Sequence, residues 1–179
     1  MSQYRRARTG STYFFTLVSY ERRPILCDEP IRKLLRLAVQ NVRVQRPFAM
    51  DAWVLMPDHL HCVWTLPEGD TDYSTRWAQI KRTVSRFCGA DVQVRGPVSE
   101  SRRKHRDAFI WQRRFYEHQI VDEDDFTRHV DYVHFNPVRH GHTDSAAAWP
   151  FSTFHRYVRA GILPIDWGGS AQAAEMHLE

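Results

Sequence analysis

Hydrophobic residues follow two different periods along the chain, and the changes between them mark the expected strands and helices. Three aromatic or β-branched runs are typical of strands, and they span residues 13–18, 48–56 and 59–65. Pro57-Asp58 separates the last two runs, which predicts a hairpin. Between the first two runs, apolar residues recur every three or four positions from Ile31 to Val42. This spacing predicts an amphipathic helix that opens at Asp28-Glu29-Pro30 and ends near Pro47.

Helix and strand patterns continue in the second half of the chain, with one polar stretch between them. Ser74 is a candidate cap for a second helix whose apolar stripe ends before Gly89. Residues 90–107 are polar and basic and predict a mobile loop, and residues 108–121 have strand-like composition. A third helix is expected from Asp122 to about Asn136, because the residue before Pro137 disfavours helical geometry. A short helix over 152–160, stopped by Gly161, follows.

The resulting order, β-α-β-β-α-β-α, predicts an α+β fold. Its first six elements match the ferredoxin-like split βαβ arrangement, an antiparallel sheet with helices on one face, followed here by a C-terminal helix. With 179 residues, 42% of them hydrophobic, the chain can build one sizeable core. We expect one domain over residues 1–164 and a flexible tail over residues 165–179.

Composition narrows the environment in which this domain works. No apolar run approaches the roughly 18 residues of a membrane span, and the first ten residues lack the apolar segment of a signal peptide. We therefore expect a cytoplasmic protein without membrane association. Three cysteines, an odd number without CxxC spacing, argue against both a disulfide framework and a thiolate zinc site.

Charge is distributed unevenly along the chain. Residues 1–114 carry 21 of the 25 basic residues and 11 of the 21 acidic ones, and 22 of the 25 basic residues are arginine. This pattern predicts a polyanion-binding surface, although a GC-rich genome would also favour arginine codons. The candidate nucleic-acid contacts are the arginines and the lysine that accompany aromatic or polar loop residues: Arg5, Arg6, Arg8, Arg102, Arg103, Lys104, Arg106, Arg113 and Arg114.

His59-Leu60-His61 is the most informative tripeptide. On a strand, residues two apart point to the same face, so both imidazoles project together and form half of a divalent metal site. An ordinary pair of half-exposed histidines would show the same spacing, and a third ligand is needed.

The third predicted helix offers that ligand. Tyr132 and Asn136 are four residues apart and share one helix face, which places a phenol beside a carboxamide oxygen. The alternative is that Tyr132 is a core residue and Asn136 a C-terminal cap before Pro137. Tyr116, in the fourth predicted strand, is the weaker candidate nucleophile and is expected to be structural. His134, His140 and His142 could shuttle a proton or contact phosphate, or could be solvent-facing or capping residues.

Five segments together resemble the REP-associated tyrosine transposases, relatives of the single-strand insertion-sequence transposases in the HUH nuclease superfamily. The matching segments lie in the family's order over about residues 4–161, and they are YRRARTGSTYFFTL, WVLMPDHLHCVW, FIWQRRFYEHQI, DYVHFNPVRHG and WPFSTFHRYVRAG. The resemblance implies that His59, His61 and Asn136 bind Mg²⁺ or Mn²⁺ and that Tyr132 is the nucleophile. Insertion-sequence relatives typically carry Gln at the Asn136 position, whereas Asn is usual in the REP-associated branch.

The same resemblance implies an activity, a substrate and a cellular setting. The expected enzyme is a single-stranded DNA nuclease and strand transferase that acts on REP hairpins through a covalent 5′-phosphotyrosine. We expect a bacterial, nucleoid-associated monomer that holds its whole site in one chain. A bound metal offsets the charge that protects a phosphodiester, and a tyrosine of reference pKa about 10 needs such surroundings to attack.

Three other functions fit part of the sequence. A histidine-triad hydrolase would need a third alternating histidine, and Val63 occupies that position. A non-catalytic hairpin-binding protein would keep the fold without needing Tyr132. A conventional zinc site could join His59 and His61 to one of the later histidines.

Overall fold

The structure, a computed structural model, describes residues 11–88 and 110–169. Four strands and four α-helices alternate along these residues, with short 3-10 turns at Tyr20–Arg22 and Ala146–Ala148. The strands are β1 (Thr12–Val18), β2 (Ala49–Leu55), β3 (His59–Thr65) and β4 (Tyr116–Gln119). The helices are α1 (Glu29–Gln45), α2 (Tyr73–Cys88), α3 (Glu123–Arg139) and α4 (Phe154–Arg159).

The strands form one antiparallel sheet in the order β2-β3-β1-β4. This order confirms the ferredoxin-like arrangement, in which the two strands nearest the centre come from the two βαβ halves. The register sets Thr16 of β1 opposite His61 of β3 on one side and opposite Tyr116 of β4 on the other. Residues opposite one another in a sheet share a face, so these three side chains lie in one row.

The helices α1 and α2 cover one face of the sheet, as the sequence predicts. Their apolar stripes pack on the strand residues of that face, where Trp64 stacks on Trp77 with ring centroids 4.1 Å apart and Phe48 lies 4.1 Å from Trp64. Trp64 and Trp77 are fully buried. Large aromatic contacts of this kind dominate the energy of a core, so this face anchors the fold.

The helices α3 and α4 close the opposite face. A second apolar cluster there joins Phe14 of β1 and Val63 of β3 to Val133 of α3 and Phe154 of α4. The predicted number of helices is confirmed, and the third helix lies across the sheet from the first two. Both faces of the antiparallel sheet are covered at its centre, and the central strands β1 and β3 are accordingly buried on both sides.

Two predicted boundaries differ from those in the structure. The cap of α2 is Asp72, whose carboxylate accepts a hydrogen bond from the Thr75 amide at 3.0 Å, so the prediction of Ser74 as the cap is wrong. Within the strand-like stretch 108–121, only Tyr116–Gln119 pairs as a regular strand. An isolated bridge joins Ser19 to Trp111, and the side chain of Trp111 belongs to the core. The apolar residues before β4 are therefore explained by burial in the core and not by a longer strand.

The end of α3 is a further correction, because the helix continues through Pro137 to Arg139. A Schellman motif closes it after the proline: His142 donates its amide hydrogen to the Pro137 carbonyl at 2.9 Å, and Gly141 donates to Val138 at 2.9 Å. Gly141 has a φ of 69°, which a residue with a side chain would adopt only with strain. Asn136 is therefore a helical residue, and the helix cap is His140.

Several expectations fall outside the described residues or remain untested. The predicted loop over residues 90–107 lies outside them, and so does most of the tail. Where the tail was expected to begin, Trp167 packs against Phe154 with ring centroids 5.9 Å apart. Among the described residues, the thiols of Cys27, Cys62 and Cys88 are free, and no helix is long and apolar enough to cross a membrane.

The buried His134 predicts a dependence of stability on pH. Burial, with the nearby positive charge of Arg156, lowers the pKa of His134 from 6.5 to about 3. The unfolded chain therefore binds a proton at this residue between those pH values while the folded chain does not, so stability falls as pH decreases through that window. The variant His134→Gln should lose up to about 1.4 kcal/mol per pH unit of this slope. Urea unfolding at several pH values between 7 and 4 measures it, and equal slopes in both proteins would contradict the assignment.

Candidate active site

Strand alternation directs His59 and His61 toward α3. Both belong to β3, and their side chains lie on the face that carries Val63, while Leu60 and Cys62 pack into the core of α1 and α2. Each imidazole is almost fully buried, with relative exposures of 2% and 0%. Their ring centroids are 4.8 Å apart. The two histidines are therefore a buried pair and not the half-exposed pair that the spacing alone also allows.

His59 is held at both ring nitrogens. Its Nδ1 lies 2.7 Å from Oδ1 of Asp58, and its Nε2 lies 3.2 Å from Oδ1 of Asn136 on α3. Arg22 in turn donates to Oδ2 of Asp58 at 3.2 Å. Burial by itself would raise the pKa of Asp58, but its contacts with His59 and Arg22 lower that pKa to about 2. The carboxylate is thus ionised and fixes the orientation of the imidazole.

His61 is held at one ring nitrogen only. Its Nδ1 lies 2.8 Å from Oγ1 of Thr16, its neighbour across the sheet, while its Nε2 is buried without a hydrogen-bond partner in the described part of the chain. Burial lowers the pKa of His61 well below 6.5, and the positive charges of His59, His140 and Arg139 lower it further. His61 is therefore neutral at physiological pH. In the tautomer that donates from Nδ1 to Thr16, Nε2 presents a lone pair.

The side chains of His59, His61 and Asn136 lie together between β3 and α3, and their donor types fit a divalent metal. Each belongs to a residue with at most 2% exposure. The unpartnered Nε2 of His61 is the observation that tests the fit, because a buried nitrogen without a partner costs about 1–3 kcal/mol and a bound cation would remove that cost. The amide oxygen suits a hard ion such as Mn²⁺, which also accepts imidazole ligands, and three donors leave coordination positions for substrate and water.

Tyr132 lies one helical turn before Asn136 on the same face of α3. Its ring centroid is 5.1 Å from that of His61 and 6.0 Å from that of Phe14, and its relative exposure is 1%. The guanidinium of Arg139 lies 5.4 Å from the ring centroid. The structure therefore brings together all four residues named from the sequence, with a fixed positive charge beside the phenol.

A second cluster of metal-binding residue types lies between β4 and α3. His118, Asp125 and His129 place their ligand atoms within 4.8 Å of one another. Here the carboxylate is already satisfied by hydrogen bonds, since Oδ2 of Asp125 accepts from Val121 at 3.1 Å and lies 2.8 Å from Nε2 of His118. Oδ1 lies 3.1 Å from His129. We interpret this cluster as a clamp between β4 and α3, because it contains no unpartnered ligand atom among the described residues.

The three later histidines lie at different distances from His59 and His61. His134 bonds to Oγ1 of Thr153 through Nε2 at 3.0 Å and is fully buried, so it has no surface from which to contact a phosphate. The ring centroid of His140 lies 5.1 Å from that of His59. The ring centroid of His142 lies 6.3 Å from that of His140, and His142 is exposed. Of the later histidines, His140 is thus the one adjacent to the site.

The predicted DNA contacts can be located only in part. Arg113 and Arg114 are exposed just before β4, on the side of the sheet edge. The remaining candidates lie outside the described residues, and they are Arg5, Arg6, Arg8, Arg102, Arg103, Lys104 and Arg106.

Sequence reasoning missed the residues that orient the two imidazoles. Thr16 lies 45 positions before His61, and only the strand register reveals their contact. Asp58 was expected merely to shape the hairpin. Its position directly before a strand-borne histidine is a signal that could have indicated its second role, since carboxylate partners commonly orient metal-binding imidazoles.

Comparisons with known proteins found similar sequences and a similar fold. The family model described as "Transposase IS200 like" matches residues 7–136. A REP-associated tyrosine transposase of Escherichia coli (strain K12) is 44% identical over 170 residues, which cover 94% of this chain and 92% of that protein. A protein of Haemophilus influenzae (strain ATCC 51907 / DSM 11121 / KW20 / Rd) is 40% identical over 171 residues, 95% of each chain. A solved structure of a REP-associated tyrosine transposase bound to a REP hairpin has a TM-score of 0.75, 41% identity and 100% coverage of both chains.

The hydrogen bond between Asp58 and His59 predicts a measurable effect on metal affinity. The variant Asp58→Asn should weaken Mn²⁺ binding by roughly 10- to 100-fold, because a neutral amide oxygen orients the imidazole of His59 less firmly than a carboxylate does. Isothermal titration calorimetry checks this, with Asp144→Asn, a change at an exposed carboxylate after α3, as the matched control. Equal Mn²⁺ affinities in the two variants would contradict a positioning role for Asp58.

Proposed function

Because this chain belongs to the REP-associated tyrosine transposases, within the IS200-like transposase family, we propose that it cleaves and rejoins single-stranded DNA at REP hairpins through a covalent phosphotyrosine. The observation that carries the proposal is that the side chains of His59, His61 and Asn136 lie together beside Tyr132 within one chain. Family membership alone would not require these four residues to meet.

The substrate class follows from a relative and from charge. A relative that matches this chain over its full length has been solved bound to a REP hairpin. The first 114 residues carry a net charge of +10, which suits a phosphate backbone. REP hairpins with unpaired flanks are therefore the proposed ligand.

The proposed metal ligands are His59, His61 and Asn136, and the ion would be Mg²⁺ or Mn²⁺. Such an ion supplies charge neutralisation at the non-bridging oxygens of a phosphodiester. The chain itself keeps His61 neutral through burial, so that its lone pair is available without competition from a proton. Asp58 and Thr16 hold the two rings so that each Nε2 faces the ligand position.

The covalent step balances with Tyr132 as nucleophile. Its phenolic oxygen forms a bond to the phosphorus, the bond between phosphorus and the 3′-oxygen breaks, and the phenol proton is lost to water. The leaving strand takes up a proton as its 3′-hydroxyl, and the 5′-phosphate remains attached to the tyrosine. A 3′-hydroxyl on another DNA end reverses the same exchange, so strands are joined without an external energy source. Arg139 provides a positive charge over the ring of Tyr132, which favours the phenolate form that attacks.

The variant Tyr132→Phe tests this assignment directly. It should abolish the covalent adduct, while affinity for a REP hairpin changes by less than about twofold, because binding depends chiefly on phosphate contacts. The measurement is incubation with a hairpin that has single-stranded flanks, with Mn²⁺ or EDTA, followed by denaturing electrophoresis and mass spectrometry of the adduct.

Controls separate the alternatives to this function. A fully paired duplex of the same sequence should remain uncut, since pairing hides the bases of the flank. His61→Ala should suppress nicking in Mn²⁺. Hairpin binding by the unaltered protein without any adduct would instead support a non-catalytic hairpin-binding protein. Tight stoichiometric zinc that Mn²⁺ cannot displace would support a structural zinc site.

The arrangement of the site within one chain predicts that a monomer is sufficient. Tyr132 and the histidine pair of the same chain lie with rings 5.1 Å apart, so no second subunit is needed to complete the set. A mixture of His59→Ala and Tyr132→Phe proteins should therefore remain inactive in the nicking assay. Recovery of nicking in the mixture would show that subunits share residues.

A further inference from the structure

Tyr116 is an aromatic residue that the proposed chemistry does not use, and its exposure is unusual. Its relative exposure is 47% although it lies in a strand. One other aromatic side chain in the described residues is comparably exposed, namely Phe87 at 63%, and it projects from α2 on the far side of the sheet. Exposing a large ring to water has a cost, so a ring exposed beside a functional site suggests a ligand.

The sheet register places Tyr116 on the same face as the metal ligands. It pairs with Thr16, the residue that contacts His61, so the three side chains stand in one row across β4, β1 and β3. The ring of Tyr116 lies 6.3 Å from that of Phe14 in an edge-to-face arrangement. Phe14 also lies 5.5 Å from His61 and 6.0 Å from Tyr132. A single buried ring therefore separates the exposed tyrosine from the proposed nucleophile.

We propose that Tyr116 is a stacking platform for one unpaired nucleobase next to the phosphate that Tyr132 attacks. This inference rests on the proposed function, since it assigns a contact to the substrate of the same site. The ligand class is an unstacked base of single-stranded DNA, because an aromatic face accepts any base without hydrogen-bond readout.

The surroundings of Tyr116 favour a nucleic acid over a protein partner. β4 is the edge of the sheet, and the chain that leads into it carries the exposed pair Arg113 and Arg114. Guanidinium groups beside an exposed ring match the alternation of phosphate and base along a single strand. A protein-docking surface would require a contiguous apolar patch, whereas the chain that leads into β4 presents two exposed arginines.

Its position also argues that Tyr116 binds and does not react. β1 lies between β4 and the strand that carries His59 and His61, whereas Tyr132 packs directly against His61. Removal of the Tyr116 hydroxyl alone should therefore leave strand cleavage by Tyr132 intact. Removal of the whole ring should impair cleavage, because the ring is the part of Tyr116 that would hold the base.

The test uses hairpins with a single-stranded flank in which 2-aminopurine replaces one flanking base at a time, in EDTA so that binding is read without cleavage. The proteins are the unaltered chain and its variants Tyr116→Phe, Tyr116→Thr and Phe87→Ala. Threonine keeps strand propensity at the edge of the sheet while removing the ring, and Phe87→Ala removes an equally exposed ring from the opposite side.

We expect the unaltered chain, Tyr116→Phe and Phe87→Ala to change the 2-aminopurine fluorescence at the same one or two flanking positions. Tyr116→Thr should lose that signal and bind about tenfold more weakly, the loss expected for one base–aromatic stack. A blunt hairpin without a flank should bind all four proteins equally. Retention of both signal and affinity in Tyr116→Thr would overturn the inference, and so would an equal loss of both in Phe87→Ala.

A parallel incubation with Mn²⁺ separates this inference from the proposed function. An adduct that forms without any ring-dependent fluorescence change would leave the transposase chemistry standing and overturn the platform. Ring-dependent fluorescence without an adduct would support the platform and overturn the proposed chemistry. Absence of hairpin binding by the unaltered chain would overturn both.

Discussion

The packing of α3 across one face of the sheet is the constraint on which the site depends. It removes two imidazoles from water, and a buried ring nitrogen must then find a partner within the protein or in a ligand. Asp58 and Thr16 satisfy the Nδ1 atoms of the two histidines, and Asn136 lies against Nε2 of His59. One nitrogen remains, Nε2 of His61, and it lacks a partner among the described residues. This unpaired nitrogen supports the proposed metal position.

The charges around the site also keep His61 unprotonated. Around His61, the charges of His59, His140 and Arg139 all disfavour a proton, and burial disfavours it most. A site made positive by arginines repels a free metal ion to some extent, but it attracts the phosphate that accompanies the ion in a substrate complex. Metal and DNA should therefore support one another's binding, with Asp58 as the carboxylate that balances Arg22.

Much of this arrangement could be predicted from short-range patterns in the sequence, and the exceptions have physical causes. Strand alternation correctly places His59 and His61 on one face, and the four-residue spacing correctly places Tyr132 and Asn136 on another. The expected end of α3 before Pro137 is wrong, because that rule describes the proline's local geometry. The Schellman motif closed by Gly141 stabilises three further helical residues.

The contacts that could not be predicted join residues far apart in the chain. Thr16 meets His61 across a register that depends on the whole sheet, and α3 covers the open face because α1 and α2 already cover the other. No local pattern encodes such a choice of face. By contrast, a resemblance carried by five segments already implied the four site residues, since it draws on residues that lie far apart in sequence but together in the fold.

The clamp between β4 and α3 explains how an edge strand of four residues can serve the site. Such a short edge strand would be expected to fray. Asp125 of α3 holds it in place through contacts with His118 in the strand and with the amide of Val121, two residues after the strand ends. The same helix carries Tyr132 two turns later, so β4 and the proposed nucleophile are fixed to one rigid element. The stacked rings of His118 and His129, 4.6 Å apart, add a second contact between them. Any nucleotide held at the sheet edge would therefore keep a constant position relative to the phenol, which in-line attack on phosphorus requires.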